Sequence, residues 1–227
     1  MCTASEYLTA NHYFGRNFDY EISYNERVCI TPRNYEFKFR KIDDMKSHFA
    51  IIGITAGIDE YPLYYDACNE KGVAIAGLNF AGNAVYREIE DDMVNVTPFE
   101  FIPYLLSQSE SIEDVKELLL NLNLVNINYS ENLPLSPLHW MIADKERAIV
   151  VEQTGRGLTV YENSTGVLTN NPTFDVQMQS LAGYIKVSPY EAENSFSKSY
   201  DITSQSRGMG GIGLPGDWSS QSRFVKT

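Results

Sequence analysis

The residue with the clearest chemical potential is the second one. An initiating methionine before a small side chain is commonly removed, and loss of Met1 leaves Cys2 carrying a thiol and a free α-amine together. With an unperturbed pKa of roughly 8, such an amine is available in its neutral form near physiological pH to accept the thiol proton. On position alone an ordinary second residue is the commoner case, so the neighbourhood has to decide. The segment Phe14-Gly15-Arg16-Asn17-Phe18-Asp19-Tyr20 follows a turn expected at Asn11-His12 and folds back beside the N-terminal strand, which brings Arg16 and Asp19 near Cys2. A guanidinium beside sulfur stabilises the thiolate, and a carboxylate can orient the amine. A surface ion pair is the alternative reading. Strict alternation sets Arg16 and Asp19 on opposite strand faces, so the strand has to end or bend between them.

Other candidates are single residues. Asn79 follows Val73, Ile75 and Gly77 on one face of an apolar strand, where a lone amide needs a hydrogen-bond partner or a task such as donating to a developing oxyanion. A satisfied structural amide is an equal reading. Asn170 and Asn171 before Pro172 read as a strand terminus and turn. Arg223 reads as a helix-face arginine. Tyr61, Leu63, Tyr64 and Tyr65, between two strands, line an apolar pocket or pack on the core. Gly208-Met209-Gly210-Gly211-Ile212-Gly213 satisfies a dinucleotide-binding pattern but lacks the preceding strand and the following helix. His12, His48 and His139 lack metal-ligand spacing, no nucleophile-elbow motif is present, and no metal is expected.

These residues need a scaffold, and its strands are visible. Ala50 to Ala56, Val73 to Phe80, Leu138 to Ala143, Ala148 to Glu152 and Leu158 to Tyr161 are apolar on both faces, as strands covered on both sides are. Lys145-Glu146-Arg147 joins two of them as a hairpin, and Glu162 to Thr165 before Gly166-Val167-Leu168 suggests another. Thr97-Pro98-Phe99-Glu100 has the form of a capping box with Pro at the first helical position, opening a helix through Ile102 and Leu106. A second helix from Ser111 aligns Val115, Leu118, Leu119 and Leu122. Ser206 to Ser222 reads as an ordered loop, and Ser219 or Ser220 caps a last helix through Arg223, Phe224 and Val225. No repeat or linker marks a boundary, so one domain over residues 1–227 is expected, with the short last helix suggesting an incomplete C-terminal end.

Thirty acidic against eighteen basic residues give a formal net charge of -12, which argues against nucleic acid or anionic membrane as partner and favours small molecules. The first residues lack the basic and apolar regions of an export signal and no later run is long enough to insert in a membrane, so a cytoplasmic location is expected. Three cysteines are too few and scattered for a disulfide framework; Cys29 and Cys68 read as core thiols.

Taken together, MCTA at the N-terminus, FGRNFDY from Phe14, YPLYYDACNEKGVAIAGLNF from Tyr61, PLSPLHW from Pro134, GVLTNNPTFD from Gly166 and SRGMGGIGLPGDWSSQSRF from Ser206 resemble the bile salt hydrolase and penicillin V acylase family of N-terminal-nucleophile hydrolases. The resemblance spans essentially the whole chain. It implies an α+β, four-layer αββα sandwich of two stacked antiparallel sheets and hydrolysis of the amide joining a bile acid to glycine or taurine, with no cofactor. By matching motif it implies Cys2 as nucleophile, Arg16 and Asp19 assisting thiol and amine, Asn79 and Asn170 shaping the oxyanion site, and Arg223 as a further catalytic-site residue. A homotetramer is the implied assembly. Asn79 favours bile salts, since penicillin V acylases of this family tend to carry Tyr there. Asn83, Val85 and Trp218 depart from the family pattern. Family members continue past Thr227, so the resemblance also implies missing C-terminal strands, and a catalytically silent remnant is the reading from a different class.

Overall fold

The computed structural model describes residues 1–57, 61–191 and 193–227. The five strands read from the sequence are present: Ile51–Thr55 (β4), Ala74–Asn79 (β6), Leu138–Ala143 (β9), Ala148–Thr154 (β10) and Gly157–Glu162 (β11). They join Arg27–Thr31 (β3) and Tyr64–Asn69 (β5) in a seven-stranded antiparallel sheet ordered β11-β10-β9-β6-β5-β4-β3. Cys2–Leu8 (β1), His12–Phe18 (β2) and Val167–Leu168 (β12) form a second sheet, ordered β12-β1-β2. A short parallel pair, Val94–Val96 (β7) and Leu122–Leu124 (β8), completes the strands among the described residues.

One face of the large sheet presents Ile75, Trp140, Ile142, Ile149 and Val151 to the helices Phe101–Leu106 (α1) and Ile112–Leu119 (α2). Helix α2 begins with a full capping box: Ser111 Oγ accepts from the Asp114 N–H while the Asp114 carboxylate accepts from the Ser111 N–H. It buries Ile112, Val115 and Leu119, worth roughly 1.5–3 kcal/mol each. The other face carries Ala76, Leu78, Met141, Ala143 and Val150, which meet Cys2 and Ala4 of β1 and Leu168 of β12. Small alanines on both sides let the sheets stack closely. Helices Phe174–Leu181 (α3) and Ser220–Lys226 (α4) pack at the second sheet, with Phe174 against Phe224 and Arg223 reaching Thr3 of β1. The order helix, sheet, sheet, helix is the expected αββα arrangement.

Several local expectations change. The β1–β2 turn occupies Thr9 to Asn11, and His12 lies in the strand opposite Leu8. Gly166-Val167-Leu168 does not return along β11; it pairs with β1, Ala4 opposite Leu168. Asn163 redirects the chain: its Oδ1 accepts from the Gly166 N–H at 3.0 Å and its Nδ2 donates to the Val167 carbonyl at 3.1 Å. Helix α1 starts at Phe101, because Thr97 to Glu100 forms a separate turn in which the Glu100 carboxylate takes both the Thr97 N–H and its hydroxyl. Leu122 belongs to β8 and not to α2. Tyr64 and Tyr65 lie on a strand and not in a loop. Gly53 is demanded by packing, since a Cβ there would stand 2.3 Å from the Asp66 carbonyl oxygen and 2.5 Å from Ala67 Cβ.

Candidate active site

Register places the first constellation. Cys2 lies opposite Phe18 and Ala4 opposite Arg16, so Arg16 and Phe18 share the inward face of β2 with the Cys2 thiol across from them. Arg16 Nη1 stands 3.9 Å from Cys2 Sγ, its guanidinium lies 4.3 Å from the centre of the Phe18 ring, and its Nε is 3.1 Å from Asp66 Oδ2 on β5. The Arg16 side chain is 1% exposed and that of Asp66 25%. Burial, the largest influence, pulls Arg16 below its ordinary value, against Asp66 and Cys2, which raise it. Burial likewise pushes the Asp66 carboxyl up, against the pull of Arg16. Both ions therefore lose more hydration than the pair returns, a cost that has no use in the core but holds a cation against sulfur. Asp66 escaped the sequence reading; a carboxylate inside the otherwise apolar segment Tyr64 to Cys68 was its signal.

Strand β2 ends at Phe18, so the break needed between Arg16 and Asp19 is there. The Asp19 N–H donates to the Met1 carbonyl at 3.1 Å, and the Met1 amine donates to the Asp19 carbonyl. The Asp19 carboxylate is exposed, and among the described residues it accepts no hydrogen bond. The Cys2 nitrogen instead donates to Asn170 Oδ1 at 2.9 Å.

Asn170 is the hub of the second constellation. Its Oδ1 also accepts from Arg223 Nη2 at 2.9 Å, and its Nδ2 donates to the Asn79 carbonyl at 2.9 Å. Arg223 reaches from α4, whose N-terminus is capped by Ser219 Oγ accepting from the Ser222 N–H. Its Nη1 donates to the Cys2 carbonyl and, at 2.6 Å, to Thr3 Oγ1, while its Nε donates to the Trp218 carbonyl at 3.1 Å. Burial lowers the Arg223 pKa, partly offset by Cys2 and Asp19. Asn79, at the exposed end of β6, accepts from the Ala81 N–H through Oδ1 at 3.0 Å, and its Nδ2 has no protein acceptor among the described residues. The expected buried amide is thus a rim amide with its donors free.

Cys2 and Asn79 open on a cavity of about 400 Å³ with a largely apolar wall of Phe18, Tyr20, Tyr24, Leu63, Tyr64, Tyr65, Phe99, Tyr129, Leu135 and Trp140. Of the four residues for which the sequence leaves pocket lining and core packing open, Leu63, Tyr64 and Tyr65 line this cavity. Tyr61 takes the other course and is buried behind the wall, packed against Phe37, Phe99 and Tyr129. Burial raises its hydroxyl pKa well above the ordinary value, and pushes Tyr65 up to about 12, so both rings remain neutral. Phe18, Tyr20 and Tyr24, which the reading missed, follow Arg16 in the same segment. Their rings contact in sequence, Phe18 stacked on Tyr20 with centroids 6.0 Å apart and Tyr20 tilted against Tyr24 at 5.4 Å. A second cleft, of about 560 Å³, lies beside Arg33, His48 and Glu70, and its described lining has no cysteine. The first site joins a thiol, a neighbouring cation, amide donors and an apolar chamber, which is the equipment for acyl transfer from a bulky apolar substrate.

Comparison with known proteins agrees. Residues 2–227 match the family described as linear amide C–N hydrolases, choloylglycine hydrolase family. The chain is 60% identical over 226 residues to a bile salt hydrolase/transferase of Lactiplantibacillus plantarum, covering all of this chain and 70% of that protein. Its structure superimposes on a mutant conjugated bile acid hydrolase of Clostridium perfringens with a TM-score of 0.90 and 37% identity, over 99% of this chain and 70% of the other. Penicillin V acylase of Agrobacterium tumefaciens matches with a TM-score of 0.75 at 18% identity, over 99% of this chain and 63% of the other, a likeness of fold.

Proposed function

Because the chain belongs to the choloylglycine hydrolase family of linear amide C–N hydrolases, we propose that it cleaves the amide bond of glycine- or taurine-conjugated bile salts, with Cys2 as nucleophile. The observation that carries this reading is the Cys2 thiol at the floor of an apolar cavity, with Arg16 Nη1 3.9 Å from its sulfur.

After Met1 is removed, the α-amine of Cys2 takes the thiol proton and the thiolate attacks the amide carbon. Asn79 Nδ2, free at the cavity rim, donates to the oxyanion. Asn170 and Arg223 hold the nitrogen and carbonyl of residue 2, so the nucleophile and its base keep a fixed orientation. Collapse of the intermediate breaks the C–N bond; the departing glycine or taurine nitrogen takes the proton held by the α-ammonium, and a thioester remains on Cys2. Water, losing a proton to the same amine, cleaves the thioester and releases the bile acid. Loss of Met1 frees the Asp19 carbonyl that receives its amine here, and Asp19 then assists the new α-amine. The aromatic wall suits the apolar steroid. Cytoplasmic placement, where thiols stay reduced, and a homotetramer complete the reading.

One observation favours a silent chain: Val28, Ile30 and Ile52 leave an exposed apolar strip on β3 and β4. The test for both is release of glycine and taurine from conjugated bile salts by the purified chain, beside Cys2→Ala and penicillin V. Release that Cys2→Ala abolishes supports the proposal. Faster turnover of penicillin V moves the substrate assignment, and folded protein without release on either substrate favours the silent chain.

A further inference from the structure

Two buried ionisable groups take no part in the mechanism above. His139 on β9 and Glu152 on β10 have side chains with 0% exposure, and His139 Nδ1 lies 3.1 Å from Glu152 Oε1. Among the described residues, the other side-chain hydrogen bonds and the ring contact of this pair lead toward the site. His139 Nε2 is 2.8 Å from the carbonyl of Thr169, the residue before Asn170. The imidazole lies flat on the ring of Phe80, the residue after Asn79, with centroids 4.2 Å apart and an 8° interplanar angle. Glu152 Oε1 accepts the Phe174 N–H at 3.0 Å, at the start of α3. The stretch from Thr169 to Phe174 is thereby pinned at both ends, with Asn170 between, and Gln177 Nε2 adds a bond to the Asn170 carbonyl at 2.8 Å.

Donor accounting fixes the protons. A carbonyl only accepts, so His139 Nε2 must carry hydrogen to bond Thr169. Nδ1 and Oε1 then need one further proton between them; without it two lone pairs face each other in a dry interior. Glu152 Oε2 has no partner among the described residues, which a fully charged carboxylate tolerates poorly. A well-packed apolar pair would fill the same space at lower cost, but it could neither donate to Thr169 nor accept from Phe174.

We propose that His139 and Glu152 are positioning residues for this site, an overall neutral pair sharing one proton, which sets where Asn170 and Asn79 stand relative to Cys2. The proposal rests on Cys2 being the nucleophile. Its test compares kcat, KM and the pH profile of Cys2 alkylation in wild type, His139→Gln and Glu152→Gln. Glutamine at 152 can face either His139 or Phe174 correctly, but not both. A displaced Asn170 lowers kcat about 10- to 100-fold while KM stays within about threefold, because the cavity wall is untouched. It also displaces the alkylation profile, because Asn170 holds the Cys2 nitrogen. Folded variants with wild-type kcat and alkylation overturn the proposal while leaving Cys2-dependent hydrolysis standing. Loss of release in wild type, or release that survives Cys2→Ala, overturns the nucleophile reading and this inference with it. Nitrogen NMR on the wild-type chain needs no variant to fold: a His139 imidazole, assigned through its contact with Phe80, that carries hydrogen on Nε2 supports the assignment, and a bare Nε2 overturns it.

Discussion

Asn79 presents the sharpest test of how the intermediate is stabilised. Among the described residues its side chain is engaged only through Oδ1, which accepts the Ala81 N–H at 3.0 Å. Removing that bond at an exposed strand end costs about 0.5–1 kcal/mol of stability. Removing one preorganised oxyanion donor costs about 2.7–4 kcal/mol of transition-state stabilisation, or 100- to 1000-fold in kcat. The exposed setting selects the lower end, so Asn79→Ala should retain its fold and lose about 100-fold in kcat with KM nearly unchanged. Asn79→Asp separates donor from scaffold. It keeps the shape and the acceptor for Ala81, but presents a negative oxygen where the oxyanion develops. Glycine release under saturating conjugate should therefore fall at least as far in Asn79→Asp as in Asn79→Ala, with thermal midpoints close to wild type. Retention of kcat within about threefold by Asn79→Asp would refute the donor role, since a loss of that size is far below the value of such a donor.

Replacing Arg16 by Met together with Asp66 by Leu removes a buried ion pair and should leave stability unchanged or raise it by about 1–4 kcal/mol; denaturant midpoints measure this, and Cys2 alkylation should slow in the same protein. The Arg33 guanidinium, with the Ala50 N–H, holds the Glu70 carboxyl at about 2 against its ordinary 4.5. A depressed folded pKa stabilises above the ordinary value, so the advantage of wild type over Glu70→Gln should be full at pH 7 and vanish as pH falls through about 2 in urea titrations. Ser111→Ala removes the cap of α2 and should cost about 1 kcal/mol with kcat unchanged, a control for stability loss away from the site. Gly53→Ala forces a Cβ onto the β5 backbone at Asp66 and should destabilise by about 1–3 kcal/mol, read from the thermal midpoint.

Strands β6, β9 and β10 were legible because burial on both faces writes an unbroken apolar run. Strand β5 was not, since Asp66 and Asn69 interrupt its pattern, and each is satisfied by a partner far along the chain: Arg16 for one, the Leu106 and Ser109 carbonyls for the other. Strand β12 has two residues, too few for any local pattern to choose between β11 and β1; the choice is made by Asn163 and by the sheet interface. At the site, the β1–β2 hairpin made Arg16 readable beside Cys2. Asn170 and Arg223 carry no local signal, because the bond from the Cys2 nitrogen to Asn170 spans 168 residues and that from Arg223 to the Cys2 carbonyl spans 221. Motif resemblance supplied both. Tyr61 and Tyr64 have the same chemistry in sequence, and only the path of the backbone into β5 decides that Tyr64 faces the cavity while Tyr61 packs behind it.

The account turns on Cys2 forming a covalent acyl intermediate after Met1 is lost. Intact-mass analysis and peptide mapping of protein quenched during turnover of a conjugated bile salt address that directly. The expected result is a chain lacking Met1 that carries the bile acyl group as a thioester on Cys2, with no adduct on Cys29 or Cys68 and none in Cys2→Ala. Turnover by a chain that retains Met1, or equal release by Cys2→Ala, would contradict the mechanism.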